Sequence, residues 1–148
     1  MRTVRVQADD FDAAAEARAL TAGRADVGAL VSFVGLCRDE GGRLAALEIE
    51  HYPGMAEAEI ARVVDEASER WPLIGVTAIH RFGTIAPGEP IVLVVTASAH
   101  RGEAFAAAEM LMDYLKTRAP FWKQVEKPSG KTWVEAKAAD DSAAERWK

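Results

Sequence analysis

The sequence has a single cysteine, Cys37, and therefore cannot form a disulfide bond within the chain. A chain without disulfides is typical of a reducing compartment, which favours the cytoplasm. One cysteine also excludes a cysteine-rich zinc site, and the three histidines show no metal-ligand spacing such as HExxH. We therefore expect no structural metal, although a site assembled from distant residues stays open.

Long apolar runs are absent as well. The stretch from Ile91 to Val95 is far too short to span a bilayer, and the first residues contain no apolar segment of signal-peptide length. The 148 residues, 49% hydrophobic and 28% charged, suit one soluble domain over residues 1–148. A net charge of −5 argues against non-specific binding of nucleic acid.

The order of apolar and polar residues predicts an α/β (α+β) domain with a mixed sheet, two long amphipathic helices and a C-terminal β-hairpin. A turn at Pro87 and Gly88 is expected to join two of its strands directly. The stretch 28–35 is almost entirely apolar and predicts a buried strand. Strands are expected at 3–6, 28–35, 47–52, 76–82 and 90–99, and the hairpin at 121–127 and 131–137.

Helices are expected up to Ala22 with Asp9 or Asp10 as N-cap, over 55–71, and over 102–118. A short helix is expected from Asp140, where Ser142 and Glu145 have capping-box spacing. In the two long helices, apolar residues recur at helical spacing and are expected to form the buried faces: Ile60, Val63, Val64 and Ala67 in one, and Phe105, Ala108, Met112 and Leu115 in the other.

The junction between the strand ending at Ala99 and the next helix carries His100 and Arg101. A helix N-terminus attracts anions because its N–H groups are free and its dipole is positive there. An arginine can also hold a phosphate with two donors. The pair therefore indicates an anion site, and the alternative is that both side chains simply face solvent.

Lys116 and Lys123 stand out in the segment DYLKTRAPFWK. From Tyr114 to Lys137 the chain has six lysines and arginines against two acidic residues. Two lysines in one cleft could hold an anionic substrate, and a lysine kept neutral by burial or by another cation could act as a base or nucleophile. The alternative is that Lys116 offsets the helix dipole and Lys123 is an exposed strand lysine.

Cys37 and Arg38 follow the predicted strand at 28–35. A nucleophilic cysteine needs a base, and none lies nearby in the sequence, so Cys37 is interpreted as a small buried or loop residue. Arg38 is a further candidate anion ligand, whereas His51 and His80 are interpreted as structural strand residues. The residues alone thus predict a small domain with an anion pocket built from Arg38, His100, Arg101, Lys116 and Lys123.

A series of short strings occurs in a fixed order: EHYPGM, RWPL, IHRFG, PGE, SAHR, MDYLKTRAPFWK and WVEAK. Together they resemble the family of large, catalytic subunits of molybdopterin synthase. The resemblance runs from about Gly28 to Trp147 and implies an α/β hammerhead fold. It also implies a homodimer within a heterotetramer, in which each large subunit binds a small ubiquitin-like sulfur carrier. The C-terminal Gly-Gly thiocarboxylate of that carrier would enter a pocket of the large subunit.

The reaction that the resemblance implies is a sulfur transfer. The substrate would be cyclic pyranopterin monophosphate, which receives two sulfur atoms to become the dithiolene of molybdopterin while its cyclic phosphate opens. Neither a metal nor another cofactor would be needed, and neither nucleic acid nor membrane would be a partner.

The resemblance also assigns roles to particular residues. Lys116 would be catalytic, as an acid or base or as a transient covalent partner of the carrier tail, and Lys123 would position and neutralise the substrate. Phosphate binding would fall to Arg38, His100 and Arg101, and the backbone would border the pocket at Leu36, Cys37, Gln124 and Val125.

Two positions depart from the family pattern. The family often has a lysine at the position of Leu36 and an arginine at that of Lys137, and the loop between Arg38 and Leu44 looks short. These departures bear on substrate affinity more than on reaction class. Two further hypotheses stay open, namely a non-catalytic module that binds a ubiquitin-like tail or a phosphorylated ligand, and an oligomeric structural protein.

Overall fold

The computed structural model describes residues 1–39, 41, 46–127, 130–134 and 138–148. Within these ranges, one to three strands precede each of four helices. The elements are β1 (Arg2–Gln7), α1 (Ala13–Thr21), β2 (Ala29–Leu36), β3 (Ala46–His51), α2 (Met55–Arg70), β4 (Leu73–Arg81), β5 (Gly83–Ile85), β6 (Pro90–Ser98), α3 (Arg101–Thr117), β7 (Phe121–Lys127), β8 (Gly130–Trp133) and α4 (Ala138–Glu145).

The strands form two four-stranded sheets. The main sheet has the order β1-β4-β6-β2, in which β1 runs parallel to β4 and the other neighbours are antiparallel. The second sheet has the order β5-β3-β7-β8 and is antiparallel throughout. The predicted α+β class is therefore confirmed, and the mixed sheet is the main one.

Helices cover both faces of the main sheet. Successive strand residues point to opposite sides, so neighbouring residues of one strand pack against different helices. Val76 and Ala78 of β4 face the layer of α2 and α3. Ile79, the residue after Ala78, packs on the other side against Leu20 of α1. The predicted buried face of α2, including Ile60 and Val64, lies in the first of these two cores, so that prediction is confirmed.

The second sheet has one apolar face and one solvated face. Leu47 and Ile49 of β3 pack with Ile85 of β5, while Phe121 and Val125 of β7 lie against them. Phe121 also packs against the core of α2, α3 and the main sheet. This one side chain therefore joins the two apolar layers, at the place where the chain passes from α3 into β7.

The N-terminus of α1 differs from the prediction. The cap is Asp12, whose carboxylate accepts a hydrogen bond of 3.0 Å from the Ala15 amide, and not Asp9 or Asp10. The backbone carbonyls of Asp9 and Asp10 instead accept from the side-chain amide of Gln7. The earlier aspartates thus belong to the turn that leaves β1, and the helix begins only after it.

The expectation of a buried strand at 28–35 was wrong. β2 lies at the edge of the main sheet and pairs with β6 on one side. Three of its apolar side chains are exposed, Leu30 by 39%, Phe33 by 43% and Leu36 by 57%. An apolar composition predicts that a strand is covered, but it does not say whether the cover comes from the same chain.

The predicted buried stripe of α3 also needs correction. Phe105 is 61% exposed, so it is not a core residue. The helix instead turns a row of small and medium residues to the sheet: Ala104, Ala107, Ala108, Leu111 and Leu115. Thr96 of β6 donates a hydrogen bond of 2.7 Å to the Ala104 carbonyl. Small side chains let the helix come this close to the strand.

Three further predictions concern short segments. The predicted direct connection at Pro87 and Gly88 overlooked β5, which leaves the main sheet and pairs with β3. The hairpin of β7 and β8 is confirmed, but Lys137 at its predicted end lies outside the described residues. Ser142 lies inside α4, so the predicted capping box there was wrong.

Candidate active site

A cleft opens between the edge of the main sheet, the C-terminal end of α3 and the start of β7. Its cavity volume is about 100 Å³, and it is partly open to solvent. The described residues that line it come from five elements and the turn before β7: Phe33, Gly35, Leu36, His80, Ile91, Val92, Met112, Leu115, Lys116, Ala119, Phe121 and Lys123.

Lys116 and Lys123 line this one cleft, as the sequence predicts. Lys116 lies in the last turn of α3 and is exposed. Lys123 lies on β7 between Phe121 and Val125, on the apolar face of the second sheet, and is half-buried. The short turn between α3 and β7 therefore places two cations on adjoining walls of an otherwise apolar cavity.

Arg118, in the same turn, fixes these two walls to α2. Its guanidinium donates to Glu59 at 3.1 Å and to Glu66 at 2.9 Å. It also lies over the ring of Tyr114, with 4.8 Å to the ring centroid. An arginine held by two carboxylates and an aromatic ring has little freedom, so the end of α3 is held firmly beside the cleft.

His80 is a lining residue that the sequence did not single out for a site. It is 6% exposed, and its ring stacks on Phe121 with centroids 3.7 Å apart. Burial, together with the positive charges of Lys123, Lys116 and His51, lowers the pKa of His80 to about 3. The available signal was its alternation with Val76 and Ala78, which puts it on the helix-covered face of β4.

Leu36 and Cys37 lie side by side but in different surroundings. Leu36 lines the cleft, where the strand register slips between Gly35 and Leu36. Cys37 is buried among Leu47, Ile49 and Ile85. Its amide donates to the Glu89 carbonyl at 2.8 Å, and its own carbonyl accepts from the Gly88 amide at 2.7 Å. Burial raises the pKa of the Cys37 thiol, and the charges of Glu89 and Asp39 add to the effect.

Three other predicted site residues are not among the described residues that line the cleft. Arg38 follows Cys37 and is exposed. Val125 lies on the same face of β7 as Lys123 and packs into the apolar layer of the second sheet. Gln124 points to the opposite face of β7, because strand residues alternate, and its neighbours across the sheet are Glu48 and Trp133.

His100 and Arg101 are not brought to the lysines within one chain. They lie at the N-terminal end of α3, while Lys116 lies at its C-terminal end. A rise of 1.5 Å per residue puts Arg101 and Lys116 roughly 22 Å apart along the helix axis. The anion pocket predicted from five basic residues is therefore not formed within one chain, because His100 and Arg101 lie far from Lys116.

The charge of the cleft is one-sided. Among the described residues that line it, two are lysines, none is acidic, and most of the rest are apolar. Cations in a partly apolar cavity interact with an anion more strongly than in water. The arrangement therefore suits a ligand with an anionic group and an apolar or aromatic body.

The chain matches known proteins in both sequence and structure. The family model of the MoaE protein matches residues 6–118 of the chain. The chain belongs to the MoaE family. A molybdopterin synthase catalytic subunit of Mesorhizobium japonicum is 68% identical over 148 residues, which cover 99% of this chain and 93% of that protein.

Solved structures of MoaE proteins have the same fold. The molybdopterin biosynthesis MoaE protein of Burkholderia ambifaria superposes with a TM-score of 0.86 at 49% identity, covering 99% of this chain and 98% of that one. A chain from the complex of subunits 1 and 2 of the molybdopterin-converting factor of Helicobacter pylori gives a TM-score of 0.73 at 20% identity, with 90% of each chain covered. The resemblance seen in the sequence is thus confirmed, and with it the enzyme class, a sulfurtransferase of molybdenum cofactor biosynthesis.

In the described part of the chain, no helix is long and apolar enough to cross a membrane.

Proposed function

We propose that the cleft transfers sulfur from the thiocarboxylated C-terminus of a small carrier protein to cyclic pyranopterin monophosphate, in the cytoplasm. The observation that carries this proposal is the meeting of Lys116 and Lys123 in one cavity that has no acidic side chain among its described lining residues. Both reactants are anionic at the reacting end, one a thiocarboxylate and the other a cyclic phosphate. A pair of cations can hold them together despite their mutual repulsion.

The two lysines would divide the work according to their surroundings. Lys116 is exposed on the end of α3 and can reach a group that enters from solvent, so it serves as acid or base or as the transient covalent partner of the tail. Lys123 is half-buried between apolar residues and serves to position the substrate and neutralise its charge. As each sulfur is transferred, the C–S bond of the thiocarboxylate breaks and a water molecule supplies the oxygen that turns the carrier's C-terminus into an ordinary carboxylate.

The carrier tail fits the cleft for steric reasons. A Gly-Gly tail has no side chains and can enter a narrow apolar channel in extended form. Phe33 and Leu36 of β2 are exposed and line the cleft, and the tail would pass along them. The Helicobacter pylori relative was solved as a complex of two different subunits, and we propose a corresponding partner here.

A second copy of the chain would complete the site. β2 is an edge strand with exposed apolar residues, and such edges readily pair with another strand. Ala29 pairs with Ser98, so His100 and Arg101 lie near the start of β2, whereas Leu36 at its end lines the cleft. If β2 paired in antiparallel fashion with β2 of a second copy related by a twofold axis, the start of the partner's β2 would lie beside this cleft. The partner's phosphate-binding pair would then complete a pocket that one chain leaves divided.

The test is a reconstitution with the purified protein, a thiocarboxylated carrier and cyclic pyranopterin monophosphate, assayed for molybdopterin. We expect product from the wild type and at least a hundredfold less from Lys116→Ala, since a group that acts on the reacting atoms is removed. Lys148→Ala, at an exposed lysine paired with Glu145, is the matched control and should keep full turnover.

The alternative of a binding module makes a different prediction in the same assay. It requires that the wild type binds the carrier but forms no product. Retained carrier binding by Lys116→Ala together with lost turnover would favour the enzyme, and equal turnover of Lys116→Ala and wild type would refute the role proposed for this lysine.

A further inference from the structure

A buried imidazole lies in the cleft that the two lysines share. His80 lines the cavity from β4, and its ring is held against Phe121 with only 14° between the ring planes. The roles proposed for Lys116 and Lys123 give it no part in binding or catalysis. A polar ring fixed in the wall of a substrate cavity calls for an explanation, because burying it is unfavourable unless it is hydrogen-bonded.

The hydrogen bonding of His80 defines its chemical form. Nδ1 lies 2.8 Å from the carbonyl oxygen of Arg81, and a carbonyl oxygen can only accept, so Nδ1 carries the proton. The lowered pKa of the ring, about 3, means that it stays neutral near pH 7. A neutral imidazole protonated at Nδ1 has a lone pair on Nε2, at the opposite edge of the ring, and that atom is a hydrogen-bond acceptor.

No other described side chain in the cleft offers a comparable acceptor. The remaining lining side chains are apolar or lysines, apart from the weakly accepting thioether of Met112. A carboxylate in this position would neutralise the lysines and repel an anionic ligand. A neutral imidazole accepts a hydrogen bond without changing the charge of the cavity.

We propose that His80 determines specificity by accepting, at Nε2, a hydrogen bond from an N–H group of the ligand's nitrogen heterocycle, while Lys123 neutralises its anionic group. The inference rests on the proposed function, in which the ligand is a pterin that carries a cyclic phosphate. It adds the one contact that neither lysine can make, because an ammonium group donates hydrogen bonds and cannot accept them. The cavity thus distinguishes a phosphorylated heterocycle with an N–H donor from a simple phosphate.

The test compares the affinities of two probes for three proteins. The probes are cyclic pyranopterin monophosphate and inorganic pyrophosphate, and the proteins are the wild type, His80→Phe and His80→Gln. Phenylalanine keeps a ring against Phe121 but removes the acceptor, so the pterin should bind about ten- to a hundredfold more weakly. Glutamine restores an acceptor and should recover most of the affinity, while pyrophosphate should bind all three proteins equally.

Each result decides between explanations. Equal pterin affinity for wild type and His80→Phe would overturn the inference and leave the proposed function intact. Failure of the wild type to bind the pterin would overturn the proposed function itself. Weaker pyrophosphate binding by a His80 variant would show that the residue only supports the cavity wall.

A measurement on the unmodified protein keeps the inference testable if a variant does not fold. The ¹⁵N NMR signal of the unprotonated Nε2 should move when the pterin binds, because the lone pair then takes part in a hydrogen bond. It should not move when pyrophosphate binds. An unchanged signal in the pterin complex would count against His80 as a ligand contact.

Discussion

Arg118 at the end of α3 reaches across to α2 and donates to Glu66 at 2.9 Å, which ties the helix that carries Lys116 to its neighbour. Its Nε donates to Glu59 as well, so one side chain links the two helices. The backbone after Arg118 continues within three residues into β7. The cleft therefore depends on a polar contact outside it, because Lys116 and Lys123 flank the turn in which Arg118 lies.

Replacing Arg118 by alanine should destabilise the fold and misplace the lysines. Arg118 is 31% exposed at its side chain, so solvent weakens the ion pairs, and we expect a loss of about 1–2 kcal/mol in the free energy of unfolding. Turnover should fall about tenfold because small shifts of a catalytic group have large effects. Urea unfolding and the molybdopterin assay measure the two effects.

Arg62→Ala provides the matched control for Arg118. Arg62 also pairs with Glu59, but it lies within α2 and is 61% exposed at its side chain. Its loss should change the unfolding free energy by less than about 0.5 kcal/mol and leave turnover unchanged. If the two variants behaved alike, the link between α2 and the end of α3 would have no special role.

The pH dependence of stability should reveal the buried His80. Its folded pKa of about 3 lies below the ordinary value of 6.5, so below pH 6.5 the unfolded chain binds a proton that the folded protein excludes. Stability is therefore fully present above about pH 6.5 and falls as the pH decreases toward 3. The slope should approach about 1.4 kcal/mol per pH unit.

This slope can be measured by urea unfolding between pH 7 and pH 5, above the range in which most carboxylates titrate. His80→Gln carries no titrating group at this position and should show a clearly smaller decrease over the same interval. A wild-type slope in His80→Gln would mean that other groups dominate and that the imidazole is not excluded from protonation.

Pairing of β2 with a second copy should be sensitive to charge. Leu30 is 39% exposed on this edge strand, and Leu30→Glu would place a carboxylate at an apolar contact. We expect the mass in solution, measured by light scattering, to fall from that of a dimer to the 16.0 kDa of one chain. Turnover should fall with it, because His100 and Arg101 of the partner would be lost from the cleft.

Val134→Glu is the control for Leu30→Glu, because it also replaces an exposed apolar residue by a carboxylate, but outside β2. Val134 is 41% exposed and follows β8, which belongs to the second sheet. It should leave the mass in solution unchanged. A monomeric wild type, or a dimeric Leu30→Glu variant with full activity, would contradict the proposed completion of the site by a second copy.

The sequence predicts local features of this molecule better than it predicts their neighbours. The prediction of the buried face of α2 was correct, because the spacing of its apolar residues depends on the helix alone. The exposure of Phe33 and Phe105 was missed because it depends on which elements pack nearby. Charge and a distinctive motif were enough to predict that Lys116 and Lys123 share a cleft. The place of His80 in the same cleft could not be predicted, because its ring stacks on Phe121, which is distant in the sequence.

The departure at Leu36 leads to the last prediction. Leu36 is 57% exposed where it lines the cleft, so a lysine at this position can reach an anion there without being buried. Leu36→Lys should lower the KM for the phosphorylated pterin about three- to tenfold at low salt, because a third cation joins the two lysines. The gain should shrink at high salt, where exposed charges are screened.

Leu36→Met separates the charge from the change of side-chain shape, since methionine is unbranched like lysine but apolar. It should leave the KM close to that of the wild type at every salt concentration. If Leu36→Lys also left the KM unchanged, the anionic group of the substrate would have to bind away from the end of β2. The partner's His100 and Arg101 would then have no reason to lie near it, and the division of the phosphate site between two chains would have to be abandoned.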